Sequence, residues 1–355
     1  MAVFSYKCPN CDGDIQFEPK TQSFHCQYCL SDFTKGEMDD IQAALKGEPK
    51  ETKETKKEPP KQEKEEHIVE YSCPSCGAEI MTDETTAATF CYYCHNPVIL
   101  SGRLGGSYRP DKLIPFMIDK EKAIAQFLQW TKKKYFIPKD FFSKEQIDKI
   151  TGVYFPYWLV DSDLSAHMTA KATKVRVWRS GETEYTETQH YQIMRQGNLH
   201  FEDITKNALN KENSKLVNGV HPYDSSKIID YSESYLSGFQ AEKRNIESNA
   251  YVEEVNKDIN KFTETLFKNT IKGYSTVIST GLTIQGLKSH WDYTLFPAWI
   301  LTYRGNDNKT YYYSMNAQTG KVSGILPLSY KKLFAAFGII SVILAIILVI
   351  GGLFI

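Results

Sequence analysis

Eight cysteines stand in two matched sets, and no other feature restricts this 355-residue chain as tightly. Cys8, Cys11, Cys26 and Cys29 form a C-x2-C-x14-C-x2-C pattern, and Cys73, Cys76, Cys91 and Cys94 repeat it at an offset of 65 residues. Two residues between cysteines let both sulfurs of a turn face one point. Fourteen residues then suit a short hairpin that brings the second pair opposite the first. Four thiolates at about 2.3 Å complete a tetrahedral Zn2+ site with no open coordination position. The spacing therefore predicts two structural zinc ions per chain, held by all eight cysteines in two small zinc-ribbon β modules over 1–45 and 68–101. A redox C-x-x-C pair fits less well, because four such pairs occur in two matched sets. Iron held rubredoxin-fashion uses four thiolates too, but separates its knuckles more widely. His25 and His95 adjoin cysteines and are not counted among the ligands.

The other end of the chain is apolar. Leu333 to Ile355 reads LFAAFGIISVILAIILVIGGLFI, without a charge and with only Ser341 and three glycines interrupting it. As a helix it extends about 35 Å, enough for a hydrocarbon core of about 30 Å. One C-terminal transmembrane tail anchor over 331–355 is expected. The N-terminus lacks the charged and apolar pattern of a signal peptide. Lys331 and Lys332 are the only flanking positive charges, which predicts a single-pass cell-membrane protein with its N-terminal bulk cytoplasmic. Reduced thiols follow from that placement, so disulfides are not expected.

Between these ends, residues 46–67 contain seven Lys, seven Glu and three Pro without one aliphatic or aromatic side chain. Such a segment cannot bury enough apolar surface to offset its ordering entropy, and a disordered charged linker is expected. Residues 103–330 read as a mixed α+β cytosolic body. Ala123, Ile124, Phe127, Leu128 and Trp130 recur at helical spacing over 119–133, with Asp119 as N-cap. Strand texture begins at Gly152 as VYFPYWLV, HMTAKATKVRVW and TEYTETQHYQIM, with a turn at Ser180-Gly181. A helix is predicted over 241–271 from Ile246, Tyr251, Val255, Ile259, Phe262 and Leu266. The segment from Phe296 reads as a hairpin turning at Gly305–Asn308, with a second turn at Thr319-Gly320. The fold class is thus two zinc-ribbon β modules, a mixed α+β domain and one C-terminal membrane helix.

Charge narrows the partners. Residues 1–102 carry 10 Lys+Arg against 18 Asp+Glu, and residues 103–332 carry 32 against 25. The second cysteine module has no Lys or Arg against Glu70, Glu79, Asp83 and Glu84, which suits nucleic-acid phosphates poorly. Exposed aromatics such as Tyr28, Tyr92 and Tyr93 fit a protein interface as readily as base stacking. Protein partners are preferred, and a membrane-tethered nucleic-acid-binding or transcription- and replication-associated protein is the alternative. The basic excess of the body, including Lys132-Lys133-Lys134, fits a solvated face, and the other reading is contact with an anionic lipid surface.

No G-x-x-x-x-G-K-[ST], G-x-G-x-x-G, G-x-S-x-G or H-E-x-x-H motif occurs, and His167, His190, His200, His221 and His290 fall at no ligand spacing. A closed four-thiolate site offers zinc no water position, so no catalytic residues are assigned and no enzyme is expected.

Several segments together carry a resemblance: the paired cysteine modules, GVYFPYWLVDSDL at 152–164, YLSGFQAEK at 235–243, FPAWILTYRGNDNKTYYYSMNAQTGKV at 296–322 and the terminal span. They resemble a group of bacterial, mostly Gram-positive, membrane proteins labelled TFIIB-type zinc-ribbon proteins. That resemblance implies a membrane platform working with another membrane protein, and recruitment of a phage-shock-protein-A-like membrane-stress protein and an SPFH-type partner. Only the eight cysteines carry over position by position. The reading is a tail-anchored, non-enzymatic zinc-ribbon adaptor that recruits proteins to the inner face of a bacterial membrane.

Overall fold

The computed structural model describes residues 3–46, 68–73, 79–83, 85–91, 97–100, 103–104, 108–132, 134–138, 141, 143–210, 217–305 and 309–352. Of the charged linker expected over 46–67, Lys46 closes a helix and residues 47–67 lie outside the described residues, as do Cys76, Cys94, His95, Tyr92 and Tyr93. The protein is a mixed α/β chain. It divides into two compact units, one of residues 1–155, 209–243 and 295–355, the other of residues 156–208 and 244–294.

In the first unit, β1 (Val3–Phe4), β2 (Ile15–Glu18), β3 (Ser23–Cys26), β4 (Asp32–Phe33) and α1 (Lys35–Lys46) build the first cysteine module. The second module contains β5 (Ile68–Ser72), β6 (Glu79–Asp83), β7 (Thr86–Phe90) and β8 (Pro97–Leu100). The rest comprises β9 (Lys112–Leu113), α2 (Lys120–Lys132), the short α3 (Lys144–Ile147), the start of β10 (Thr151–Ser180), β12 (Ile229–Asp230), which pairs with β9, and further strands named below. α2 forms as its periodicity predicts. Asp119 Oδ1 accepts the Lys122 amide at 2.7 Å as N-cap, and Ala123 and Phe127 are buried.

The two cysteine modules share ladders with each other and with the body. β1 pairs antiparallel with β8, with Val3 opposite Leu100. β7 pairs with β13 (Gln240–Glu242), with Ala88 opposite Ala241, and β13 runs parallel to β10, with Val153 opposite Gln240. The hairpin expected around 305 is formed by the end of β14 (Thr276–Arg304) and β15 (Thr310–Asn316), with Arg304 opposite Thr310. β16 (Val322–Ile325) follows and leads to α5 (Tyr330–Gly352). At the centre, Phe116 stacks on Phe239 at 3.9 Å, with Tyr154 and Trp299 edge-on at 5.0 and 5.3 Å. Gly152 is required here, because a Cβ would lie 2.6 Å from the Phe239 ring.

In the second unit, β10 from Tyr157 onward pairs with β11 (Thr183–Asn207) through the turn at Gly181, whose φ is +62°. β14 borders β10 on its other side, where the Ser275 amide donates to the Thr173 carbonyl at 2.7 Å. α4 (Val252–Asn269) lies on one face of these strands. Its Val255, Ile259 and Phe267 pack with Val160, Leu164, Ala166, Met168, Ala170, Ala172 and Ile193. The predicted helix from 241 begins eleven residues later than expected. Gln240–Glu242 is committed to β13, and residues 248–251 form a single 3-10 turn before α4. The strand texture from 152 to 178 is one continuous strand, not two.

Candidate metal centre

The first cysteine module is two copies of one turn. The Cys8 amide donates to the Gly13 carbonyl at 2.7 Å and the Asp12 amide to the Cys8 carbonyl at 2.8 Å. The second turn repeats this: the Cys26 amide donates to Ser31 O and the Leu30 amide to Cys26 O, each at 2.9 Å. In each turn the fourth residue after the first cysteine has a left-handed backbone, Asp12 with φ 61° and Leu30 with φ 60°. That reversal curls the chain so that both sulfurs of a pair face inward. The β2–β3 hairpin, with Ile15 opposite Cys26 and Phe17 opposite Phe24, then sets one turn against the other.

All four sulfurs lie within 4.8 Å of one another, with Cys8 Sγ 3.5 Å from Cys29 Sγ and Cys11 Sγ 3.5 Å from Cys26 Sγ. A disulfide requires about 2.05 Å, whereas four sulfurs about 2.3 Å from one ion stand about 3.8 Å apart. The cluster has the dimensions of a metal site, and no described cysteine is in a disulfide. Electrostatics agree. The Ser31 hydroxyl and backbone pull the Cys29 thiol down to about 6. The Gly13 backbone also favours ionised Cys11, but Cys29, burial, Cys26 and Cys8 together leave that thiol pushed up to about 12. Burial raises Cys8 as well. Four sulfurs this close do not ionise together unless a cation offsets their mutual repulsion, which a divalent ion does. His25 is engaged elsewhere, with Nδ1 2.9 Å from Asp32 Oδ1.

Beneath the sulfurs, Tyr6, Ile15, Phe17, Phe24, Phe33 and Met38 are buried. A capping box starts α1: Glu37 Oε2 accepts from the Thr34 amide at 2.7 Å and hydroxyl at 2.8 Å, which holds the Glu37 carboxyl below its usual range. The module seats on the segment 235–239. Tyr235 packs against Phe17 at 4.8 Å and Phe24 at 5.3 Å, the Phe17 amide donates to Ser237 O at 3.0 Å, and the Ser237 hydroxyl donates to Ile15 O.

Of the second set, Cys73 and Cys91 are described, both buried in one cluster with Tyr71, Val98 and Leu100. Arg103 is a residue the sequence reading passed over. Its guanidinium lies 5.0 Å from the Tyr71 ring centre, with Nε donating to the Tyr71 hydroxyl at 2.9 Å and Nη1 to the Thr86 carbonyl at 2.5 Å. The signal available was an arginine just past an otherwise cation-free module.

Among the described residues, α5 supplies one stretch, Tyr330–Leu348, that is long and apolar enough to cross a membrane, with none of it buried within the chain. The fold and site thus define a mixed α/β chain with a four-cysteine cluster and an apolar C-terminal helix. It is 32% identical over 335 residues to the Bacillus subtilis (strain 168) protein described as uncharacterized protein YdjG, covering 94% of this chain and 93% of the relative. The chain therefore belongs to the family of YdjG. No family model and no solved structure matches it.

Proposed function

We propose that this protein is a tail-anchored, non-enzymatic zinc-ribbon adaptor whose cysteine modules hold structural zinc and recruit proteins to the cytoplasmic face of the membrane. The observation that carries the reading is the closed four-sulfur cluster at Cys8, Cys11, Cys26 and Cys29 in a chain that also bears a long apolar helix with no part of Tyr330–Leu348 buried. Four thiolates favour zinc and leave it no open position, so the ion serves folding and display of a surface. The matched spacing assigns a second zinc to Cys73, Cys76, Cys91 and Cys94, supported by the shared burial of Cys73 and Cys91. Lys331 and Lys332 at the start of the span favour the cytoplasm for the bulk of the chain. The resemblance drawn from the sequence makes a phage-shock-protein-A-like protein, an SPFH-type protein and a second membrane protein the partners to look for.

The test is recovery from native membranes in mild detergent, comparing the wild type with Cys8→Ser/Cys11→Ser, with proteins and nucleic acid quantified in the same eluates. Protein partners that accompany the wild type and are lost with the variant are the expected result. Nuclease-sensitive nucleic acid retained only by the intact module would replace the adaptor with a nucleic-acid binder.

A further inference from the structure

A second lipid-facing element lies beside the start of the apolar helix. α2 ends at Lys132, and the chain turns at once, the Lys134 amide donating to the Thr131 carbonyl at 2.9 Å. The turn is pinned to the first residues of α5. The Ser329 amide donates to the Phe136 carbonyl at 2.6 Å, and Lys332 Nζ donates to the Ile137 carbonyl at 2.7 Å. Ile137 is buried as the plug of this joint, whereas Tyr135 is 83% exposed and Phe136 38%. Leu328 and Tyr330 on the adjoining strand-to-helix segment are exposed too.

Two tyrosines, a phenylalanine and a leucine thus stand in solvent at the level where the helix begins, held there by direct hydrogen bonds to its first turn. Lys132, Lys134 and Lys331 are exposed around them, and neither Thr131–Pro138 nor Gln318–Lys332 contains an acidic residue. Aromatic rings combined with lysines at a helix entry match the chemistry of a bilayer interface, where rings sit among the headgroups and lysines meet anionic lipid. A protein partner would not require that the turn be locked in depth to the helix, and a bilayer surface does. We infer that the Lys134–Ile137 turn, with Lys132, Tyr330 and Lys331, docks on the anionic headgroups of the leaflet that α5 enters. This rests on reading α5 as a span. It adds a fixed contact with lipid of defined charge.

The experiment uses the full chain in nanodiscs of phosphatidylcholine alone or mixed with phosphatidylglycerol, with amide hydrogen exchange followed in peptides covering 131–138 and 330–348. The expected result is exchange at 134–137 about tenfold slower in the anionic discs, with the difference lost in Lys132→Gln/Lys134→Gln/Lys331→Gln. Equal exchange at 134–137 in both discs, with 330–348 protected in both, would overturn the headgroup contact and leave the span standing. Free exchange across 330–348 in discs would overturn the span and the contact together.

Discussion

His221 shows how one buried side chain gives the fold a pH dependence. It lies against Tyr223 at 5.1 Å and Phe296 at 5.7 Å, and burial, with Lys321 adding to it, pushes its imidazole down to about 4. An unfolded chain returns that group to about 6.5. Between these values the unfolded state binds the proton and the folded state does not, so stability falls as pH drops from about 6.5 toward about 4. The loss approaches about 3–4 kcal/mol when complete. The expectation is that His221→Gln flattens this part of the stability profile relative to the wild type, measured by thermal unfolding in detergent across that range. Thiolate protonation acts over the same range in both proteins and cancels in the comparison. Parallel profiles would show that His221 is not the titrating group. No spacing marked this residue among five scattered histidines, because its property arises from chain segments about 75 residues apart in sequence. His200 is the opposite case. Its hydrogen bond to Asp163 at 2.7 Å, with a second to Glu202 at 3.0 Å, raises its pKa on an exposed strand.

At the scale of elements, α4 separates pattern from packing. The buried residues of α4 are Val255, Ile259, Thr263 and Phe267, one line at four-residue spacing, with Val255, Ile259 and Phe267 in the apolar cluster. Phe262 and Leu266, which the sequence placed on the same stripe, are 42% and 44% exposed. Ile259→Ala is expected to destabilise the protein by about 2–4 kcal/mol and Leu266→Ala by less than about 1 kcal/mol, measured from denaturant midpoints. Equal costs would place both residues on the packed face. The stripe was misread because Thr263 is polar by composition yet fully buried, while two larger apolar residues flank the true line. The start was misread because Ala241 and Glu242 carry helical propensity but gain ladder partners in β7. By contrast α2, with Asp119 as cap and a simple apolar face, and the cysteine turns, fixed by two-residue spacing, were legible because their determinants are local. Strand pairing between β1 and β8 depends on residues nearly one hundred positions apart, and no periodicity reports it.

At the scale of the molecule, the segment Tyr235–Glu242 is a joint. Tyr235 and Ser237 hold the first cysteine module, Phe239 stacks on Phe116 in the core, Gln240 and Ala241 pair with β10, and Ala241 and Glu242 pair with β7. Gly238, with φ +94° against Gln16, allows the chain to pass between these neighbours. The sequence singled out this stretch as a motif without a role, because each of its partners is distant in the chain. The arrangement has an energetic consequence. If metal orders the Cys8–Cys29 module and the module covers Tyr235, the metal and the Tyr235 ring stabilise the same body. Tyr235→Ala alone should cost about 3 kcal/mol, since it empties a place between two phenylalanines. In a Cys8→Ser/Cys11→Ser background the module no longer presents Phe17 and Phe24 in order, and the same substitution should cost much less. The double-mutant cycle should therefore give a coupling of about 1–3 kcal/mol, read from hydrogen exchange at β13 with metal content measured alongside. Additive effects would mean that the cysteine module folds and loses its metal without the body sensing it. A measured coupling would mean that metal occupancy of the N-terminal module sets the stability of β13 and the strands it pairs with.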